Sequence, residues 1–316
     1  MGESAKGVLA MIAACVIWGL SPLYYKLLAD VPPLEVLSHR TLWSLAFFGL
    51  VLLGRRRLGE VFALLRRARG LALVTLAAVM ISANWFFYIW AIQVGRTVEA
   101  SLGYYMFPLV AVMLGVVAFG ERLSRWRKLA VGMAALAVVL LSWGLGAAPW
   151  ISLILAGTFG LYGLLKKQSG AGPVISVTAE VLVLAPLAAA WLWGVHAAGW
   201  TGMAGREGEG AVFLNDAADS LLLIFSGPMT AGPLILFSYA SRRITMATLG
   251  LVQYLNPTLQ FLCAVVIFGE PFTGWHGLAF ALIWAALAIY SADAFRQEKA
   301  ARRAKTRESA SFTNVM

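Results

Sequence analysis

The sequence predicts an all-α membrane protein: ten transmembrane helices forming two five-helix repeats that lie in the bilayer in opposite orientations. Three observations carry this. Of 316 residues, 60% are hydrophobic and only 13% charged, too apolar a balance for a soluble domain. The apolar residues fall in runs of roughly 20, enough to cross a ~30 Å hydrocarbon core as helices. One phrase is also written twice, Phe-Gly-Glu, four residues, Trp, at Phe119–Trp126 and at Phe268–Trp275, each time closing an apolar run.

The duplication extends beyond the phrase. Pro108 and Pro257 stand the same distance upstream of it, Val116-Val117 answers Val265-Val266, and Ser124 answers Thr273. Further back, Ala100-Ser101-Leu102-Gly103 answers Ala247-Thr248-Leu249-Gly250, with a two-residue slip. The first segments agree as well, Trp18-Gly19-Leu20…Leu23…Lys26 against Phe159-Gly160-Leu161…Leu164…Lys167. The two units are therefore 7–144 and 147–294, followed by a basic tail, 295–316.

In order, the spans are expected at 7–28, 34–53, 71–93, 98–118 and 127–144, then 147–165, 174–195, 218–240, 244–268 and 275–294. Between the second and third, Leu58, Val61, Phe62 and Leu65 recur at helical spacing opposite arginines, as in a short helix lying on an anionic leaflet. At the ends of spans four and nine, Gly120 and Gly269 can take the left-handed conformation that stops a helix, and Ser124 and Thr273 can cap the next. Glu121 and Glu270 then read as interfacial residues of tight turns. Pro22, Pro108, Pro186, Pro228, Pro233 and Pro257 fall inside spans and should bend them. Thr201–Asn215 reads as a long, flexible external loop, and the chain beyond about Arg302 as disordered.

The net charge of +10 is a topology signal and does not imply a nucleic-acid partner. With a cytoplasmic N-terminus, all but Lys26, Arg40, Arg96 and Arg206 of the 25 basic residues fall on one side. That lopsidedness puts both termini in the cytoplasm. An odd number of spans per unit then inverts the second. Glu121 is followed by Arg122, Arg125, Arg127 and Lys128, whereas the turn from Pro271 to His276 has no Lys or Arg. Cys15 and Cys263 fall within spans and imply no disulfide.

Enzyme signatures are thin: no phosphate-cradling loop, no His-Glu-x-x-His and no Cys pair at metal spacing, so neither cofactor nor metal is expected. Polar residues inside spans are the better guide, because they are costly in hydrocarbon and usually face a cavity or a partner. At about 1.5 Å rise per residue, Ser21, Arg40, Asn84, Tyr104 and Tyr105 fall roughly 10 Å below the outer surface. Trp18 and Asn256 come nearer the midplane, and Gln253 deeper. With Tyr88, these nine are the substrate-binding candidates. The planar fork of Arg40 suits a carboxylate or another acidic group, with snorkelling to headgroups as the alternative. Glu35 with His39, one turn apart, and Glu180, alone well inside a span, are the proton-coupling candidates. The alternatives are a wet helix start for Glu35 and a hydrogen bond to a neighbouring helix for Glu180. Small residues at Ala130, Ala134, Gly277 and Ala281 permit close helix packing, within the chain or in a homodimer.

In this order, Ile17-Trp18-Gly19-Leu20-Ser21-Pro22 with Lys26, His39-Arg40, Asn84-Trp85…Ile89-Trp90-Ala91 and Glu99-Ala100-Ser101-Leu102-Gly103-Tyr104 resemble the drug/metabolite transporter superfamily. Phe119-Gly120-Glu121 and Thr248-Leu249-Gly250…Gln253-Tyr254 extend the resemblance, which is to two EamA-type five-span units and, more narrowly, to the RarD group. One departure is Phe107 before Pro108, where the group has Asn. The resemblance implies a central cavity, alternating access and export. The expected protein is a secondary transporter of a small polar or amphipathic metabolite, amino-acid-like or drug-like, with membrane lipids around it. A membrane-embedded enzyme acting on a lipid-linked substrate is the alternative.

Overall fold

A computed structural model describes residues 2–120, 123–200 and 212–313. Apart from one isolated bridge, Phe213 with Asp216, its regular structure is helical. The first half comprises α1 (Glu3–Gly19), α2 (Ser21–Leu27), α3 (Pro33–Gly54), α4 (Leu58–Leu65), α5 (Ala68–Gln93), α6 (Thr97–Phe119) and α7 (Arg125–Leu145). The second comprises α8 (Trp150–Ser169), α9 (Pro173–Ala197), α10 (Ala217–Ser241), α11 (Met246–Gln253), α12 (Leu255–Leu262), a π-helical turn (Cys263–Ile267) and α13 (Gly274–Thr313).

Among the described residues, nine segments are long and apolar enough to cross a membrane. The sixth expected span, α8, is not one of them. Its 20 residues include Ser152, Thr158, Lys166, Lys167 and Gln168, which dilute its apolar character. The first and ninth spans are broken helices. α1 gives way to α2 at Leu20, with Pro22 in the first turn of α2, and α11 gives way to α12 at Tyr254, ahead of Pro257. In contrast, α6 runs through Pro108.

Two readings need correction. The chain beyond Arg302 is helical as far as Thr313, because Ala, Arg, Lys and Glu favour helix and neither Gly nor Pro interrupts them. Glu270 is buried rather than interfacial. Its Oε1 and Oε2 accept the backbone N–H groups of Thr97 and Val98, both at 2.8 Å, and so cap α6 of the other half. Glu121, Arg122 and residues 201–211 lie outside the described residues. Gly120 and Gly269 have φ of 63° and 65°, and Ser124 accepts from the Arg127 amide at the start of α7. α4 forms where the apolar spacing placed it, but Val61 is buried against α5 and α9 residues, Val74, Ile175 and Ala179 among them.

Helix packing follows one rule. α1 packs on α12 as α8 packs on α6, α3 on α10 as α9 on α5, and α5 on α8 as α10 on α1. The pairs α3 with α9, α6 with α12 and α7 with α13 are their own counterparts. Exchanging the helices of one half for the corresponding ones of the other thus returns the main helix contacts; those of α4, which has no counterpart, and of α6 with α13 are among the exceptions. Within lipid such contacts rest on close packing, which favours small residues at crossings. A Cβ on Gly19 would lie 2.6 Å from Leu259 Cβ and 3.0 Å from the Asn256 carbonyl of α12. One on Gly160, its repeat partner, would meet Val110 and Leu114 side chains of α6 at 3.1 Å. Ala130 and Ala134 are buried against α13 of the same chain.

Candidate functional site

Between the two sets of helices lies a cavity of about 1380 Å³. Trp18, Ser21, Arg40, Asn84, Tyr88, Tyr104, Gln253 and Asn256 all line it. The broken helices explain part of this convergence, since Trp18 and Ser21 flank the α1–α2 break and Gln253 and Asn256 the α11–α12 break.

Arg40 sits at the inner wall, 6% exposed. Its Nε donates to Thr230 Oγ1 at 2.9 Å and its Nη1 to the Tyr25 hydroxyl at 2.7 Å. The guanidinium lies over Trp85, 4.0 Å from the ring centroid, a cation–π contact. Among the described residues, no carboxylate pairs with it. Hydroxyls and an indole face orient the group but supply no compensating charge. The guanidinium, with five N–H donors, uses two of them in these bonds and keeps others unused.

Polar and aromatic groups extend from this point. Asn84 Nδ2 donates to the Leu155 carbonyl and Thr158 Oγ1, both at 3.0 Å, while its Oδ1 accepts from the Tyr104 hydroxyl at 2.7 Å. Tyr88 shares a 2.8 Å hydrogen bond with Ser21, and its ring meets those of Tyr25 and Tyr104 edge-on. Phe107 lines the cavity and packs on Phe159 at 4.7 Å between centroids, so the departure from Asn leaves an apolar wall there.

Tyr105 does not reach the cavity. Successive helical residues point about 100° apart, so Tyr105 turns away from Tyr104. It bonds Thr258 at 2.6 Å and packs on Phe280 and Trp284. Glu35 and His39 also lie off the cavity, buried near the start of α3. The wet-start reading of Glu35 therefore fails; its Oε1 accepts the Val212 amide at 3.2 Å.

Glu180 is buried behind the wall at the other end, where Lys166 Nζ meets Oε1 at 2.7 Å and the Tyr162 hydroxyl donates to Oε2 at 3.0 Å. Ser176 donates to Oε1 at 3.1 Å and also bonds Lys166. Lys166 and Tyr162 themselves line the cavity. The sixth span is expected to end at residue 165, but α8 runs on to Ser169 and so carries Lys166 on the helix, against the cavity. Arg40 and Glu180 do not pair.

The cavity opens at one end. Its lining runs out to Lys167, Arg242 and Arg243, of which Lys167 and Arg242 are exposed. The opposite end is filled by the buried cluster of Tyr24, Leu28, Val31, Val36, Ile92 and Leu223. The Tyr24 hydroxyl ties α2 to the Leu222 carbonyl at 2.6 Å, and Gln93 bonds the Leu28 and Val31 carbonyls.

The EamA-like transporter family matches residues 5–143. Over 99% of its length the chain is 41% identical to the protein RarD of Streptomyces exfoliatus, covering 96% of that protein. The chain belongs to the EamA-like transporters, in the RarD group. RarD of Escherichia coli is 36% identical over 94% of this chain and 97% of its own. The uncharacterized transporter YojE of Bacillus subtilis is 37% identical over 95% and 98%. One solved crystal structure of a protein aligns with a TM-score of 0.59 at 20% identity, covering 93% of this chain and 99% of the other; that likeness concerns the fold alone. As a RarD-group member the chain is a multi-pass membrane transporter.

Sequence reasoning missed Tyr25, Thr230, Tyr162 and the inward role of Lys166. One signal would have found two of them. The register that sets Lys26 on Lys167 also sets Tyr25 on Lys166, and Arg40 and Glu180 stand equally far after Pro33 and Pro173, the first residues of α3 and α9.

Proposed function

We propose that this chain is a secondary exporter of a small metabolite bearing an acidic group and an apolar or aromatic body. In this reading it works in a bacterial inner membrane, has both termini in the cytoplasm and crosses the bilayer ten times, the second five spans inverted. The observation that carries the substrate class is Arg40, a buried cation without a described acidic partner, at the closed end of a cavity walled by Trp18, Trp85, Tyr88 and Tyr104. A ligand carboxylate there gains a charge-assisted, fork-shaped contact, while the rings of Trp18, Tyr88 and Tyr104 wall its apolar body.

Alternating access is supported by the exchange rule of the helix contacts. If the halves exchange their conformations, the packing that seals one end has a counterpart able to seal the other. The present arrangement is then open to the cytoplasm, because the open end carries the basic residues. Glu180 with Lys166 is the coupling element. A proton taken by the carboxylate weakens the ion pair at the cavity wall, so solute and proton occupancy bear on the same helices, α8 and α9.

The test is reconstitution into sealed vesicles with an imposed pH gradient and a panel of amino acids, aromatic acids and amphenicols. Saturable, gradient-dependent accumulation of an unmodified solute, with counterflow, is the expected result. Flux without saturation would indicate a channel, and chemical conversion of a lipid-linked substrate would indicate an enzyme.

A further inference from the structure

The end of the molecule opposite the cavity mouth holds a second cluster of donor groups. Glu35 and His39 lie one turn apart near the start of α3, and His196 lies next to the last residue of α9. Distant in sequence, the three bring one ligand atom each to within 4.8 Å of one another. His39 is 4% exposed, and its Nε2 bonds no described residue. A buried, unpartnered ring nitrogen beside a second imidazole and a carboxylate is costly unless something binds there.

We infer that Glu35, His39 and His196 form a binding site for a divalent transition metal of the zinc type. Two imidazoles and one carboxylate are a common Zn²⁺ donor set and a poor one for Mg²⁺ or Ca²⁺, which prefer oxygen ligands. Bonds of about 2.0–2.2 Å in a tetrahedral site put ligand atoms roughly 3.4 Å apart. The present spacing, within 4.8 Å, therefore has to contract by at most about 1.4 Å, within reach of side-chain rotation. His196 is exposed, which gives an ion a path in from that face. The Val212 amide fixes one Glu35 oxygen, and the Phe213 ring covers His39 at 4.5 Å between centroids. These are the outer contacts that orient metal ligands and keep water away. α3 belongs to the first half of the chain and α9 to the second, so a bound ion ties the halves together at the sealed end and favours the arrangement open at the other.

The test uses full-length protein carrying a tag without histidines, stripped with chelator and titrated with ZnCl₂ in a buffer containing Mg²⁺. One zinc per chain and a rise in melting temperature with Zn²⁺ but not Mg²⁺ are expected. His196→Ala should weaken zinc binding at least tenfold while leaving the zinc-free melting temperature unchanged, since the ring is exposed. Glu35→Gln should weaken it comparably. Absence of saturable zinc uptake, or unchanged affinity in both variants, overturns the proposal. Neither readout requires a transported substrate, so the site can fail while the transport reading stands, and the reverse.

Discussion

Arg40 and Glu180 occupy the same place in the two halves, yet their surroundings differ. Each stands equally far after the proline that opens its helix, and each bonds a residue at the same register of the preceding span: Tyr25 for Arg40, Lys166 for Glu180. The two contacts are alike in length, 2.7 Å each. In the first half the partner is a neutral hydroxyl, and the guanidinium's charge is left uncompensated by described residues. In the second the partner is an ammonium, and the charges largely cancel. One scaffold thus carries a buried cation without a described counter-charge in one half and an ion pair in the other. The difference arises from four side chains, Arg40 with Tyr25 and Glu180 with Lys166, set at equivalent positions of the two halves.

The largest effect should come from the uncompensated member. Arg40→Ala is expected to weaken binding of an acidic solute by about 2–5 kcal/mol, at least about 25-fold, with folding retained in detergent. Isothermal titration with the solute found in the vesicle screen measures this. Unchanged affinity would remove Arg40 from the site and erase the contrast.

A smaller effect should come from the paired member, and it should fall on stability and pH response. Glu180→Gln leaves Lys166 with no carboxylate in a largely buried setting. The expected cost is about 2 kcal/mol, below the usual range for breaking a buried pair because the lysine side chain is partly exposed. The pH dependence of transport should flatten as well. If Glu180→Leu with Lys166→Met recovers the melting temperature while Glu180→Gln alone does not, the ion pair is the cause. A single variant that melts like the unaltered protein and keeps its pH profile would sink the coupling role.

The smallest effect separates neighbours on one helix. Tyr104→Phe removes the bond to Asn84 and should weaken solute binding by ~1 kcal/mol. Tyr105→Phe should leave solute affinity unchanged, because its hydroxyl meets Thr258 away from the cavity. Equal losses in the two variants would mean that the cavity wall has been misassigned.

Much of this was legible beforehand because membrane helices announce themselves by composition, and because a duplicated phrase survives as text. Apolar runs located the helices, and the cost of polar groups in hydrocarbon flagged Ser21, Arg40, Asn84 and Tyr104 before any packing was known. The same logic could not tell Tyr104 from Tyr105, since depth along a helix is a matter of rise while facing is a matter of which neighbour lies alongside. It also misjudged Glu270. A carboxylate beside a turn looks solvated until the amides of Thr97 and Val98 are found against it.

By itself the sequence determined the membrane class, the helical segments and the internal duplication, because these depend on local hydrophobicity and on spacing along one chain. Only the tertiary structure decided that Arg40 is answered by Tyr25 and Thr230, that Lys166 turns inward to Glu180, and that His39 and His196 meet. Those contacts join residues as many as 190 positions apart, and their partners are chosen by helix rotation and crossing, quantities that no stretch of sequence encodes locally.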